Sequence, residues 1–141
     1  MEYLSMVANG ELFAVDATLV ERVVRNISYT PIPAAPGAVA GIANMKGGIV
    51  TLLCFSKLLG YSRSEQAVHA VIFKPLTNGN DQMGLLIDKP GELISIDDSD
   101  INRSRHEGNA DATSLISGLA EKNNNLYRII ALSEATHPKN N

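Results

Sequence analysis

Gly41-Ile42-Ala43-Asn44-Met45-Lys46-Gly47-Gly48-Ile49-Val50-Thr51-Leu52-Leu53-Cys54-Phe55-Ser56 and Gly118-Leu119-Ala120-Glu121-Lys122-Asn123-Asn124-Asn125-Leu126-Tyr127-Arg128-Ile129-Ile130-Ala131-Leu132-Ser133 are two copies of one pattern, set 77 residues apart without a gap. Gly41 meets Gly118, Ile42 meets Leu119, Ala43 meets Ala120 and Leu52-Leu53 meets Ile129-Ile130. Each copy is a short apolar run, a polar turn and a longer apolar run, which is the sequence form of a β-hairpin. The turn is Lys46-Gly47-Gly48 in the first copy and Asn123-Asn124-Asn125 in the second. Glycine and asparagine both tolerate the left-handed backbone of tight hairpins, so the turn chemistry persists while the residues change. A small chain that carries one hairpin twice points to two similar β-lobes.

The strand pattern extends in both directions. Tyr3–Ala8 and Leu12–Asp16 read as a hairpin around Asn9-Gly10. A strand follows around Val20, Val23 and Val24, then an extended loop over Pro31, Pro33, Pro36 and Gly37. Ser56–Leu59 reads as one helical turn ending at Gly60. Ala67–Phe73, Met83–Asp88 and Leu93–Ile96 are further strands, with a turn at Asn78-Gly79-Asn80. Ala14-Val15-Asp16 and Leu86-Ile87-Asp88 look like a fainter echo of the repeat. Residues 97–113 hold one large apolar residue, Ile101, so a short helical turn and a mobile loop are expected there. The tail 136–141 is polar and expected to fray. About ten short strands with little helix make an all-β chain. The expected division is one domain of two small barrels, with lobes near 10–66 and 67–135.

Composition excludes several functions. The 141 residues are 45 % hydrophobic and 19 % charged, as in ordinary soluble domains. With net charge −3, no Lys/Arg cluster, 5 % aromatics and no Trp, neither a nucleic-acid footprint nor a base-stacking platform is expected. No apolar run approaches a membrane span, and Glu2 stands where a signal peptide carries positive charge, so a cytoplasmic protein is expected.

Catalytic chemistry finds no footing. Cys54 has apolar neighbours, whereas a nucleophilic thiol needs a cation or a helix N-terminus. His69, His106 and His137 lack metal-ligand spacing, and Asp97, Asp98 and Asp100 lack the glycine and distal glutamate of a calcium loop; capping and solvation explain them better. Lys46-Gly47-Gly48 precedes a strand rather than a helix, which fits a hairpin turn and not a phosphate loop. The expectation is no enzyme, no cofactor and no metal.

Tyr3 to Ala135 resembles the CheW family of bacterial chemosensory adaptors. Gly41-Ile42-Ala43-Asn44-Met45-Lys46-Gly47-Gly48-Ile49-Val50 is similar to that family's Gly-x-x-Asn-Leu-Arg-Gly-x-Ile-Val. Phe13-Ala14-Val15-Asp16, Met83-Gly84-Leu85-Leu86-Ile87-Asp88 and Ile116-Ser117-Gly118-Leu119-Ala120 follow in the family's order. The resemblance implies two SH3-like five-stranded barrels sharing a core. It also implies a non-catalytic adaptor that couples the cytoplasmic tip of chemoreceptors to the regulatory domain of the histidine kinase CheA. By that resemblance Val20, Val23, Gly41, Asn44 and Lys46 are receptor-binding, and Met83, Gly84 and Leu86, on the second barrel, are kinase-binding. The alternative for Val20, Val23 and Leu86 is core packing.

The chain departs from the family in three places. Lys46 replaces the usual Arg; Thr51, Cys54 and Ser56 replace Pro, Asp and Arg; and Arg22 stands where an acid is common. These mark a divergent member. The alternative function is a CheW-like scaffold or regulator for a pilus-type or other kinase pathway, outside the receptor array. An enzyme using Cys54 or His69 and a nucleic-acid-binding barrel rank below both.

Overall fold

The computed structural model describes residues 1–34, 37–46, 48–62, 66–75, 82–103 and 115–131. The turn at 78–80, the loop expected over 104–113, the tail 136–141, and Pro36 and Gly47 lie outside the described residues. The chain runs through β1 (Glu2–Ala8), β2 (Glu11–Asp16), a 3-10 turn (Ala17–Leu19) and β3 (Val20–Val24). Next come β4 (Thr30–Pro31), β5 (Val39–Met45), β6 (Gly48–Cys54) and a single α-helical turn, α1 (Phe55–Leu58). The remainder is β7 (His69–Phe73), β8 (Gln82–Ile87), β9 (Lys89–Ser95), a 3-10 turn (Asp98–Asp100), β10 (Ile101–Asn102), β11 (Ile116–Lys122) and β12 (Asn125–Ile130).

Two six-stranded sheets form the two SH3-like barrels, in the orders β3-β7-β8-β6-β5-β4 and β9-β1-β2-β12-β11-β10. Each is the expected five strands plus a two-residue edge strand, β4 or β10. β4 falls in the proline segment expected as loop, at a sheet edge where Pro31 is tolerated. The first sheet is built from residues 20–87 and the second from both ends of the chain. Both of the segments 10–66 and 67–135 therefore contribute strands to both sheets.

The two sheets are topological copies. In each, one parallel pair (β6 with β8, β12 with β2) joins two antiparallel sets. β5–β6 corresponds to β11–β12 at the offset of 77 residues read from the sequence. Even the bulges coincide: register shifts fall between Val39 and Gly41 and between Ile116 and Gly118. The second lobe is the first one circularly permuted, because its last two strands are supplied by the N-terminal hairpin. Register also corrects the fainter echo. Leu52 pairs with Gly84 and Ile129 with Ala14, so Gly84-Leu85-Leu86, two residues earlier than expected, matches Ala14-Val15-Asp16.

Central strands bury both faces, which explains their continuous apolar runs. On β7, Val71 and Phe73 face a core shared between lobes, while Ala70 and Ile72 face the first lobe's own core. On β2, Phe13 and Val15 face the shared core and Ala14 the second lobe's core. Phe13 and Phe55 meet edge to face at 4.8 Å in the shared core.

The hairpin turns hold to their chemistry. Asn9 and Gly10, and Asn123 and Asn124, lie at positive φ as two-residue type I′ turns require. In the first repeated hairpin the left-handed residue on view is Lys46, at φ 51°, rather than a glycine.

Candidate functional site

Strand β3 ends its sheet and pairs along one side with β7. The chain reaches it through the 3-10 turn, where the Asp16 carboxylate accepts from the Thr18 N–H at 2.9 Å and the Thr18 hydroxyl at 2.8 Å. Val20 lies opposite Phe73 and Val23 opposite Val71. Directly opposed residues share a face, so both valines look toward the core between the lobes. Val20 is half-buried on that core, and Val23 stands 36 % exposed at its margin. A bulge at Glu21 and Arg22 separates them. The Gln82 amide donates to the Glu21 carboxylate at 2.7 Å and to the Phe73 carbonyl at 3.1 Å, fixing the bulge to β8.

Gly41, Asn44 and Lys46 lie along β5 and its turn, four strands from β3 in sheet order. Val24 and Met45 both pack on the lobe core between those strands. Gly41 is buried, and a Cβ there would collide with the Thr30 carbonyl oxygen and with Tyr29. Its absence of a side chain lets β4 approach. Asn44 is exposed and lines a shallow depression of ≈ 330 Å³ with Ser28, Tyr29, Thr30, Ile42 and Ala43. Lys46 projects from the exposed hairpin tip.

Met83, Gly84 and Leu86 lie on β8, in the same sheet as β3 and β5 and not on the second barrel. Leu86 is fully buried in the lobe core, so core packing is its role in this fold. Gly84 is buried where a Cβ would sit 2.7 Å from Ile72 Cδ1 and 3.0 Å from the Val71 carbonyl. Met83 is half-buried against the shared core.

The comparisons with known proteins agree with this architecture. A family model described as CheW-like domain matches residues 2–137. The chain belongs to the CheW-like family. It is 25 % identical over 135 residues to a chemotaxis protein CheW of Helicobacter pylori, covering 95 % of this chain and 80 % of that protein. It is 28 % identical over 100 residues to a chemotaxis protein CheW of Rhizobium meliloti, covering 71 % of this chain and 64 % of that one. The scaffolding protein CheW of Thermoanaerobacter tengcongensis superposes with a TM-score of 0.78 at 26 % identity, over 93 % of this chain and 84 % of that one.

In this CheW-like chain the residues considered for catalysis have structural duties. Cys54 is buried, 1 % exposed. His69 Nδ1 accepts the Asn26 N–H at 3.0 Å, holding the left-handed residue that follows β3. Asp97 caps the second 3-10 turn without a side-chain bond, and Asp98 pairs with Arg103 at 2.6 Å. Among the described residues no group of three His, Cys, Asp or Glu could hold a metal ion. No helix among them is long and apolar enough to cross a membrane.

A feature that sequence reading missed is the partition of charge. Residues 17–87, which build the first lobe, carry six Lys/Arg against three Asp/Glu, a net +3. The rest of the chain carries six against twelve, a net −6. The overall −3 conceals this because the acidic lobe is assembled from two separated segments. The same contrast shows in the grooves. The second lobe has its own depression, ≈ 480 Å³, lined by Asp100, Asn102, Leu119, Glu121 and Leu126. By register these occupy the places of Ser28, Thr30, Ile42, Asn44 and Ile49 in the first lobe. A neutral polar rim in one lobe is an acidic rim in the other.

Proposed function

We propose that this CheW-like chain is a non-catalytic adaptor that couples chemoreceptors to a CheA-type histidine kinase in chemotaxis. The observation that carries the reading is the two-lobed CheW-like fold with an edge strand whose exposed Val23 borders the shared core. An amphipathic receptor helix lays its apolar stripe on the Val20–Val23 face of β3. Asn44 and Lys46 supply polar contacts at the far side of the same lobe, while Gly41 shapes the β4–β5 edge. The kinase regulatory domain engages the surface next to Met83, with Gly84 and Leu86 supporting that strand from within. The adaptor works in the cytoplasm and reaches the membrane through its receptors.

The test is recovery of partners from the cell's own lysate, with Val23→Asp and Lys46→Glu beside wild type. A CheA-type kinase and chemoreceptors should come down with wild type, and receptors should be lost selectively in both variants. Recovery of the kinase without receptors would favour a scaffold outside the array. Recovery of neither partner would sink the adaptor reading.

A further inference from the structure

The two lobes leave their edge strands β3 and β9 by the same route, with one difference. Past β3 the Ile27 N–H donates to the Val68 carbonyl at 2.9 Å; past β9 the Ile96 N–H donates to the Met1 carbonyl at 3.0 Å. Register makes these one bond. Val23 lies opposite Val71 and Leu93 opposite Leu4, and Val68 and Met1 stand three residues before those partners. Ile27 comes four residues after Val23, whereas Ile96 comes three after Leu93. The first lobe therefore fits one more residue into the path. The extra length is taken up at Asn26, whose φ of 50° lies in the left-handed region that asparagine tolerates. Its N–H has no place in the ladder, and His69 takes it, Nδ1 accepting at 3.0 Å. The second lobe has Glu2 at the place of His69 and makes the shared bond without the extra residue.

An amide N–H can only donate, so Nδ1 carries the lone pair and the proton of the neutral ring sits on Nε2. A second proton goes to Nδ1 and sets donor against donor. Histidine is the side chain whose charge ordinarily changes between about pH 5 and 8. Among the described residues His69 has no ion pair and no further hydrogen bond, so nothing else holds the ring once that bond is lost. β3, β8 and β9 pack on β7. Their charged or titratable groups near His69 are Arg25 after β3, Asp88 after β8, and Lys89 and Glu92 on β9, with Tyr29 in the segment that follows Asn26 and Glu21 and Arg22 at the far end of β3. The Asp88 carboxylate accepts the Asn9 N–H at 2.9 Å, and Glu21 is engaged by Gln82.

Asn26 is where the chain turns from β3 toward β4. Ser28, Tyr29 and Thr30 follow, line the depression that Asn44 borders, and close over Gly41. β4 is two residues long and ends its sheet. It is held by the Thr30–Ile42 and Pro31–Gly41 pairs, and beyond it the Ile32 N–H donates to the Ala40 carbonyl at 3.1 Å. An edge with so few bonds opens locally unless its approach is fixed.

We propose that His69 is a pH-sensitive latch: the neutral ring pins the chain at Asn26, and protonation releases it, loosening β4 from β5 and opening the depression beside Asn44. The bonded state excludes a proton from Nδ1, so the latch holds at neutral pH and is lost as pH falls. It involves no partner and stands apart from the adaptor reading.

The experiment follows amide hydrogen exchange by nuclear magnetic resonance, corrected for intrinsic rates, in wild type, His69→Asn and His69→Phe at about pH 7.5 and about pH 5.5. In wild type the protection of Asn26 and Ile32 should fall by about three- to tenfold at the lower pH, the size of one lost hydrogen bond. Val71, at the centre of β7, should keep its protection. His69→Asn places a non-titrating side-chain oxygen near the position of Nδ1 and should stay protected at both pH values. His69→Phe, with no acceptor, should show the low protection at both. Wild-type protection at Asn26 and Ile32 that is the same at both pH values would overturn the latch, whatever the variants do. So would a fall in His69→Asn as large as that in wild type, which would assign the titration to another group.

Discussion

Gly41→Ala tests whether a family-type position acts by contact or by backbone geometry. An ideal Cβ at Gly41 meets the Thr30 carbonyl oxygen inside any allowed separation, the Tyr29 Cδ2 at 2.7 Å and the Thr30 carbonyl carbon at 2.9 Å. A backbone carbonyl cannot rotate away, so β4 must shift from the Thr30–Ile42 and Pro31–Gly41 register. Overpacking of this kind costs about 1–3 kcal/mol, and the stiffer unfolded chain returns about 0.4–1 kcal/mol. A net loss of about 1–2 kcal/mol lowers the melting temperature of a domain this size by about 3–8 °C. Gly118→Ala is the matched control in the other lobe. Its Cβ meets first the Ile101 Cγ2 at 2.7 Å, a side-chain atom, and then the Asn102 carbonyl at 3.0 Å, so its loss should be smaller. Thermal melting by circular dichroism, with amide exchange at Ile32, whose N–H bonds the Ala40 carbonyl at 3.1 Å, reads both the global and the local effect. A Gly41→Ala protein that melts with wild type, or that melts above Gly118→Ala, would refute the close-approach argument.

Leu86→Ala removes a fully buried side chain from the first lobe's core and should cost about 2–5 kcal/mol in denaturant unfolding, with any loss of kinase binding following stability. Lys46→Asn relieves a lysine held at φ 51° and should raise stability by about 0.5–1 kcal/mol while weakening receptor binding; no gain in melting temperature would count against the strain. Burial lifts the Tyr3 phenol above its ordinary 10.0, with Arg103 pulling it partly back and Asp16 and Asp98 adding to the rise. The unfolded chain therefore ionises first, and stability that is full below pH 10 falls as pH climbs past it. Tyr3→Phe should make that alkaline fall shallower in a pH series of denaturant midpoints.

The repeated hairpin was legible because it is local: a turn flanked by alternating and continuous apolar runs fixes two neighbouring strands without reference to anything distant. The same holds for Asn9-Gly10 and for α1, which stops at Leu58 just before Gly60 at φ 93°. What local pattern could not carry is which strands pair across the chain. β12 lies beside β2 through the Arg128–Phe13 and Ile129–Ala14 pairs, residues at opposite ends of the sequence. A division at about residue 67 follows naturally when each lobe is assumed contiguous, and the parallel pair is what makes the second lobe discontinuous. The charge partition was lost for the same reason, since counting over the chain averages an acidic lobe with the basic one inserted into it. At the candidate site, Leu86 and Gly84 share a motif with Met83, yet alternation along β8 sends Leu86 into the lobe core and leaves Met83 half-buried. Motif likeness names positions; the period of two decides which of them a partner can touch.

Burial narrows where recognition takes place. β7, β8, β1 and β2 place residues in a lobe core on one face and in the shared core on the other, so most of their side chains offer a partner little area, with half-buried Gln82 and Met83 the accessible end of β8. Among the described strands, the exposed large apolar side chains are Val23 on β3 and Leu93 on β9, which end their sheets, and Ile49 and Leu126 beside the hairpin turns. Free sheet edges are the natural docking places of small β-barrels, and this fold presents them twice in the same geometry. Two identical edges would compete for one partner. Residues 17–87 carry a net +3 and the rest of the chain a net −6, so the two edges are presented in opposite electrostatic surroundings. An adaptor has to hold two different proteins at once, and a duplicated lobe becomes suited to that work when its copies diverge in charge while the fold that presents them stays the same.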